Sequence, residues 1–218
     1  MNKVDIIIAT PGHSVMSSYV NSLFSLASVF SDMGISWLWS SQYSSHVADA
    51  REMTLSGGSH NIINESRPFN GNIDYNKIMW IDSDISFMPE DVLKLINSDK
   101  DITTGAYLLG TGEVTVYKEL LGGGYSYEEI LKMKEPIKVG GCGFGFVAIK
   151  KGVFESLSRP WFQSVLIKTK DDFEFPLMGE DLSFCKRATD LGYEIWFDPT
   201  VRVTHHKTMK LTWEGIQP

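Results

Sequence analysis

Two carboxylates stand two residues apart in the run Met79-Trp80-Ile81-Asp82-Ser83-Asp84-Ile85. Side chains at i and i+2 of an extended segment point the same way. Asp82 and Asp84 therefore share a side, where they repel each other once partly dehydrated. A divalent cation removes that cost. Hard oxygen ligands suit Mg2+ or Mn2+, which keep open positions for substrate phosphates. The structural alternative is an acidic turn leading into a helix that opens with Pro89, Glu90 and Asp91.

A second constellation lies in "GEDLSFCKRATDLGYEIWFDPTVRVTHH". Glu180 and Asp181 open a helix, where the dipole stabilises them whether or not one serves as a general base. His205 and His206 follow the strand-like "TVRV"; a histidine there is either a nitrogen ligand for a cation near Asp84 or half of a surface pair. Lys207 and Lys210 come next. They are candidates for pairing with phosphate oxygens, or solvated lysines of the C-terminal segment.

The elements that must position these groups are legible from periodicity. "VDIIIA", residues 4–9, is a continuous apolar run of strand length, as expected of a central parallel strand buried on both faces. Met16, Tyr19, Val20, Leu23, Phe24, Ala27 and Phe30 recur at helical spacing until Gly34. "ISWLWS" reads as a second strand, "HVADAREMTL" as a helix ended by Gly57 and Gly58, "KIMWID" as a third strand, and "DITTGAYLL" as a fourth after the Pro89 helix. Residues 56–76 form a long polar connection, either functional or mobile. Ser126 and Glu129 have capping-box spacing. The opening order β-α-β-α-β-α-β predicts a right-handed, mostly parallel α/β sheet with helices on both faces, and the second half adds a smaller antiparallel part. Ligands of such sheets sit beyond the carboxyl ends of the strands, where Asp82 and Asp84 fall.

Length and composition set the frame. The chain has 218 residues, 43% hydrophobic and 22% charged, with a net charge of −7. That suits one domain of residues 1–218. The acidic balance weighs against a broad face for duplex DNA. Cys142 and Cys185 lack metal-site spacing and read as small buried residues of a reduced compartment. The chain shows no signal-like or membrane-spanning run, so a cytoplasmic location is expected.

Taken in order, "DIIIATPGH", "ADAR", "MWIDSDISFMPEDV", "GGCGFGF" and the Glu180–His206 stretch resemble a GT-A fold glycosyltransferase of the family-2-like sort. The likeness is to the compact type often encoded by bacterial viruses, which would place the protein in the host's cytoplasm. It runs through nearly the whole chain and implies a Rossmann-like GT-A domain, with a nucleotide-binding half (1–106) and an acceptor or catalytic half (107–218), that uses Mn2+ or Mg2+ and a nucleotide-diphosphate sugar, UDP-linked foremost. By that resemblance Thr10 and Pro11 line the base pocket and Arg51 faces the nucleotide. Asp82 contacts ribose or metal, Asp84 and His205 hold the metal, and Asp181 is the base of an inverting transfer. Two departures are visible. Glu52 stands where the family has Asn, and residues 55–76 are longer than usual.

The acceptor is the open end of this reading. The virus-type resemblance implies a hydroxymethylated pyrimidine of DNA, while a glycan, lipid or protein hydroxyl stays possible. Nucleotidyl transfer is a competing reaction, disfavoured because "ATPGHSVMSS" has no lysine or arginine. A non-catalytic nucleotide-sugar binding module is the third reading. Trp161, Trp196 and Trp213 are candidates for stacking on a sugar or base. Gly140–Gly145 lacks the strand-to-helix placement of a dinucleotide fingerprint and reads as close backbone packing beside the sugar site.

Overall fold

The computed structural model of the protein describes residues 2–58, 67–120, 122–168, 174–175, 178–208, 210–213 and 215–217. For the short strand pieces at 167–168, 174–175, 210–212 and 215–217, only the backbone is described.

A seven-stranded sheet organises the molecule. Its strands are β1 (Ile6–Ala9), β2 (Trp37–Ser40), β3 (Lys77–Ile81), β4 (Ile102–Ala106), β5 (Ile137–Val139), β6 (Phe146–Lys150) and β7 (Ile195–Arg202). They lie in the order β2-β1-β3-β6-β4-β7-β5. β1 pairs parallel with both β2 and β3, and β4 pairs parallel with β7. β6 runs antiparallel between β3 and β4, and β5 closes the edge antiparallel to β7. The four leading strands thus do not sit side by side as a simple β-α-β series would place them. A strand from the glycine-rich second half is wedged among them.

Helices cover both faces: α1 (Ser17–Met33), α2 (Val47–Ser56), α3 (Pro89–Asn97), α4 (Tyr127–Lys132), α5 (Val153–Ser156) and α6 (Glu180–Asp190). Alternate strand residues feed opposite cores. Ile7, Ile78, Trp80, Val147 and Ile149 join Leu55, Phe154 and Phe184 on one side. Ile6, Ile8, Met79, Ile81, Phe146 and Ala148 join Tyr19, Leu26, Phe30, Val92 and Leu95 on the other. Continuous apolar runs such as Ile6–Ile8 reflect burial on both faces.

Helix α1 ends where Gly34 turns left-handed (φ 67°), as its position predicts. Its buried face is Tyr19, Leu26 and Phe30, whereas Phe24 is 73% exposed and Met16 also faces outward. These two belong to the expected spacing but fall off the side that meets the sheet. The Ser126–Glu129 capping box forms, with both reciprocal hydrogen bonds. The alternating run 113–119 contributes only the two-residue strand Val116–Tyr117, paired with Gly141–Cys142. Among the described residues, no helix is long and apolar enough to cross a membrane.

Candidate active site

The carboxyl end of β3 stops at Asp82, whose N–H still donates to Gly145 O (2.9 Å) before the chain turns. Ile85 N then donates to Asp82 O, closing a tight turn over Ser83 and Asp84. Gly12, in the loop after β1, lies against this turn at φ 153°. A Cβ there would come within 2.8 Å of Ser83 Oγ, so the close approach needs glycine.

Residues 204–206 reach the same turn from far along the chain. Thr204–His205 pairs antiparallel with Ile85–Ser86, and His206 N donates to Asp84 O (2.8 Å). This short ladder places the His205 ring beside Asp84, with Nε2 3.1 Å from Oδ2. The other ring nitrogen, Nδ1, lies 2.7 Å from Leu108 O. A carbonyl only accepts, so Nδ1 carries the proton. In the neutral ring Nε2 is then a lone-pair donor facing the carboxylate. Two lone-pair groups at that distance call for a proton or a cation between them. Lys207 Nζ also approaches Asp84 Oδ2, at 3.0 Å. His206 Nε2 is engaged 2.7 Å from Ser86 Oγ, which makes it an anchor of the ladder.

Asp82 is held differently. Buried Arg51, on α2, donates from Nη2 to Asp82 Oδ2 (3.4 Å) and from Nε to Glu180 Oε1 (3.2 Å). Its Nη1 is 3.2 Å from Asp82 Oδ1 but makes no directed hydrogen bond. The guanidinium carbon sits 5.6 Å from both the Trp80 and Phe144 rings. Burial disfavours the Arg51 charge, but Asp82 and Glu180 outweigh it and hold the guanidinium above its ordinary range. Asp181 follows on α6 and, among the described residues, makes no hydrogen bond to this group. Its Oδ1 accepts from Leu182 N (2.7 Å). Burial, and then the Glu180 charge, push its carboxyl up to about 6.

A cleft of about 420 Å³ gathers Pro11, Arg51, Asp82, Asp84, Asp181, His205 and Lys207. Three expected members stand apart. Thr10 is fully buried with its hydroxyl against that of Tyr19, so it supports the floor and does not line the cleft. Glu180 turns to Arg51, which makes it a positioning group. The Lys210 side chain lies outside the described residues. Of the tryptophans, Trp161 is core, bonded to Phe154 O, and Trp196 lies under Lys100 at the far sheet edge, while Trp213 is fully exposed. The cleft also holds His13 and Tyr43, whose rings meet edge to face at 4.8 Å. Neither was singled out from the sequence, although both stand just past the carboxyl ends of β1 and β2, the place where such sheets bind ligands.

Two other expectations gain a physical account. Glu52, the departure from the family pattern, accepts from Arg159 Nε and Trp161 N, each at 2.9 Å. Arg187 on α6 binds the same loop through Pro160 O and Trp161 O. Glu52 therefore ties α2 to α6, the two helices that carry Arg51 and Asp181. The glycine cluster makes room for Tyr107. A Cβ on Gly145 would lie 2.6 Å from the Tyr107 ring, and Gly143 leaves even less space. Tyr107 accepts from Gly145 N (3.0 Å) and packs edge-on against His205 at 5.3 Å.

Among the described residues, no three His, Cys, Asp or Glu side chains form a ready-made metal cage. Asp82, expected to contact ribose or metal, pairs with Arg51. The pair Asp84–His205 nevertheless fits Mn2+ or Mg2+. Such ions keep waters and substrate phosphates in their shell and need only one or two protein ligands. The carbonyl behind Nδ1 is the outer partner that a ligating histidine uses.

No protein-family model and no curated protein matches the chain. Solved structures do. A197 from STIV matches all of this chain and 95% of its own, at TM-score 0.59 and 19% identity. The catalytic domain of Drosophila beta1,4galactosyltransferase 7, complexed with xylobiose, matches 95% of this chain and 72% of its own (TM-score 0.50, 11% identity). GalNAc-T7 with UDP, GalNAc and Mn2+ matches 93% of this chain at TM-score 0.51 and 12% identity, this chain spanning 44% of that one. The fold is the mixed α/β architecture of the GT-A glycosyltransferases.

Proposed function

We propose that the protein transfers a glycosyl group from a nucleotide-diphosphate sugar to an acceptor hydroxyl, with inversion. The observation that carries this is the pairing of Asp84 with the tautomer-fixed Nε2 of His205, on the cleft that Asp181 also lines. Support comes from the GT-A fold and from GalNAc-T7, which holds UDP and Mn2+ in the same architecture.

Pro11, His13 and Tyr43 offer the base a rim at the ends of β1 and β2. Asp82, held by Arg51, is placed to accept from ribose hydroxyls. Asp84 and His205 would hold Mn2+ or Mg2+, which when bound neutralises charge on the leaving diphosphate. Lys207 turns from Asp84 toward the phosphates once Asp84 is otherwise engaged. Asp181 takes the proton of the acceptor hydroxyl as its oxygen bonds to the anomeric carbon. The bond from that carbon to the diphosphate breaks, and the nucleoside diphosphate leaves with the electron pair. A carboxyl at about 6 is ionised at neutral pH yet basic enough to take that proton.

The test is a screen of nucleotide sugars with Mn2+, reading release of the nucleoside diphosphate. We expect UDP-sugars to be turned over, and Asp84→Ala and His205→Ala each to lose at least about 100-fold of kcat/KM. An Asp181→Asn variant with unchanged turnover beside an inactive Asp84→Ala would remove the base assignment. No turnover of any nucleotide sugar by the wild type would remove the reading.

A further inference from the structure

A second and larger hollow, of about 490 Å³, lies beside the cleft. We propose that it is an acceptor subsite for a neutral carbohydrate, and that it selects against nucleic acid. This rests on the glycosyl-transfer reading and names the acceptor class for it.

Its position follows from one short hairpin. Leu108 bridges Val114, Leu109 N donates to Glu113 O (2.8 Å), and Gly112 N donates back to Leu109 O (2.9 Å). Leu109 lines the cleft, while Thr111, Gly112 and Glu113 line the second hollow. One wall thus divides the two spaces. At the other end, Tyr117 pairs with Gly141, whose Cα lies close under Leu182, the neighbour of Asp181. The Asp181 charge reaches Tyr117: burial first, then Asp181 and Glu113, hold its phenol above the ordinary range. An acceptor lying along the hollow therefore ends near the base.

Its chemistry is aromatic and acidic. Tyr117, Tyr125 and Tyr127 line it, and none of their hydroxyls has a hydrogen-bond partner among the described residues. Tyr125 is held in place by Phe197 (6.5 Å between centroids) and by Lys118 over its ring. Tyr127 is 53% exposed and rises between this hollow and the apolar groove next to it. Glu113, Glu128 and Glu129 supply carboxylates. Lys118, over the Tyr125 ring, is already neutralised by Glu129 at 2.6 Å, and Glu129 also caps Ser126 N. Glu113 and Glu128 form no ion pair among the described residues.

Sugar rings present C–H faces to aromatic side chains and hydroxyl donors to carboxylates, so this lining matches them. Single-stranded nucleic acid also stacks on aromatics, but it needs a positively charged groove to follow its phosphates. Here the uncompensated charge is negative and would repel each phosphate, as does the net −7 of the chain.

The test separates the two readings. Release of nucleoside diphosphate without acceptor reports the glycosyltransferase reading alone. Saturation-transfer NMR with maltose, cellobiose, lactose and xylobiose, in the presence of UDP and Mn2+, then reports the subsite. We expect at least one disaccharide to bind and to stimulate turnover. Tyr127→Ala, at an exposed position, should raise that saccharide's KM at least tenfold with the donor KM within twofold; Glu128→Gln should act in the same direction. No disaccharide binding to a turnover-competent protein would overturn the subsite and leave glycosyl transfer standing. An unchanged saccharide KM in both variants would do the same, as would faster transfer to a single-stranded oligonucleotide containing hydroxymethylcytosine.

Discussion

Burial and the adjacent Glu180 push the Asp181 carboxyl up to about 6, so this side chain weakens the fold in the ionised state in which it would act. The sign follows from proton counting. Between the ordinary value of 3.8 and about 6, the folded protein holds a proton that the unfolded chain has lost. Stability therefore declines as pH rises through that window. Asp181→Asn removes the charge, and we expect it to raise the thermal midpoint at pH 7.5, by roughly 1–3 kcal/mol of stability. The same change should lower acceptor transfer by about 10²–10⁴-fold. In the wild type, kcat/KM for transfer should fall below a pH of about 6, measured against a pH-independent coupling assay. The types and spacing of Asp82, Asp84, Asp181 and His205 were readable from the chain. Which side chain each one meets was not, because Asp82 pairs with Arg51 and Asp84 with His205 across separations of 31 and 121 residues.

The elements carry these groups through close contacts that tolerate little change. Gly145 stands at the foot of β6, where its N–H binds Tyr107 and its Cα faces the Tyr107 ring. Gly145→Ala forces that ring aside, at a cost of roughly 1–3 kcal/mol read by urea unfolding. The penalty should shrink in a Gly145→Ala/Tyr107→Leu double variant, since the two positions share one space. Local signals marked these helices: hydrophobic period and Gly34 for α1, Gly57 and Gly58 at the end of α2, Pro89 with its following acids for α3, and Glu180–Asp181 for α6. Which residues of α1 face the sheet was less legible: Phe24 fits the spacing but lies on the solvent side. Residues 113–119 alternate like a strand yet pair only at Val116–Tyr117, since alternation alone does not say whether a partner strand extends beside it. Antiparallel insertion of β6 between β3 and β4 had no local marker at all.

Across the whole molecule, Arg51 is the charge that joins the sheet end to α6. Glu52, its neighbour on α2, makes the second tie through Arg159 and Trp161. Arg51→Met strands two partly buried carboxylates, and a loss of about 3 kcal/mol is expected in chemical denaturation. The variant should also blunt the rise in thermal midpoint produced by UDP with Mn2+, which in the wild type grows with the logarithm of ligand concentration. A wild-type loss for Arg51→Met within experimental error of zero would show that the pairing only offsets its own desolvation. By itself, the sequence determined that this is an α/β chain with apolar parallel strands, an acid pair at a strand end, acids opening a late helix and histidines near its close. Those properties reside in runs of a few residues, where hydrophobic period, capping and spacing act locally. Only the tertiary structure decided that residues 204–205 zip onto 85–86, that Arg51 takes Asp82 and Glu180, and that Tyr107 fits against two glycines. It also decided that a tyrosine-lined acidic hollow adjoins the cleft. Each of these is a pairing between distant segments, and such register depends on how the whole sheet and its covering helices pack together.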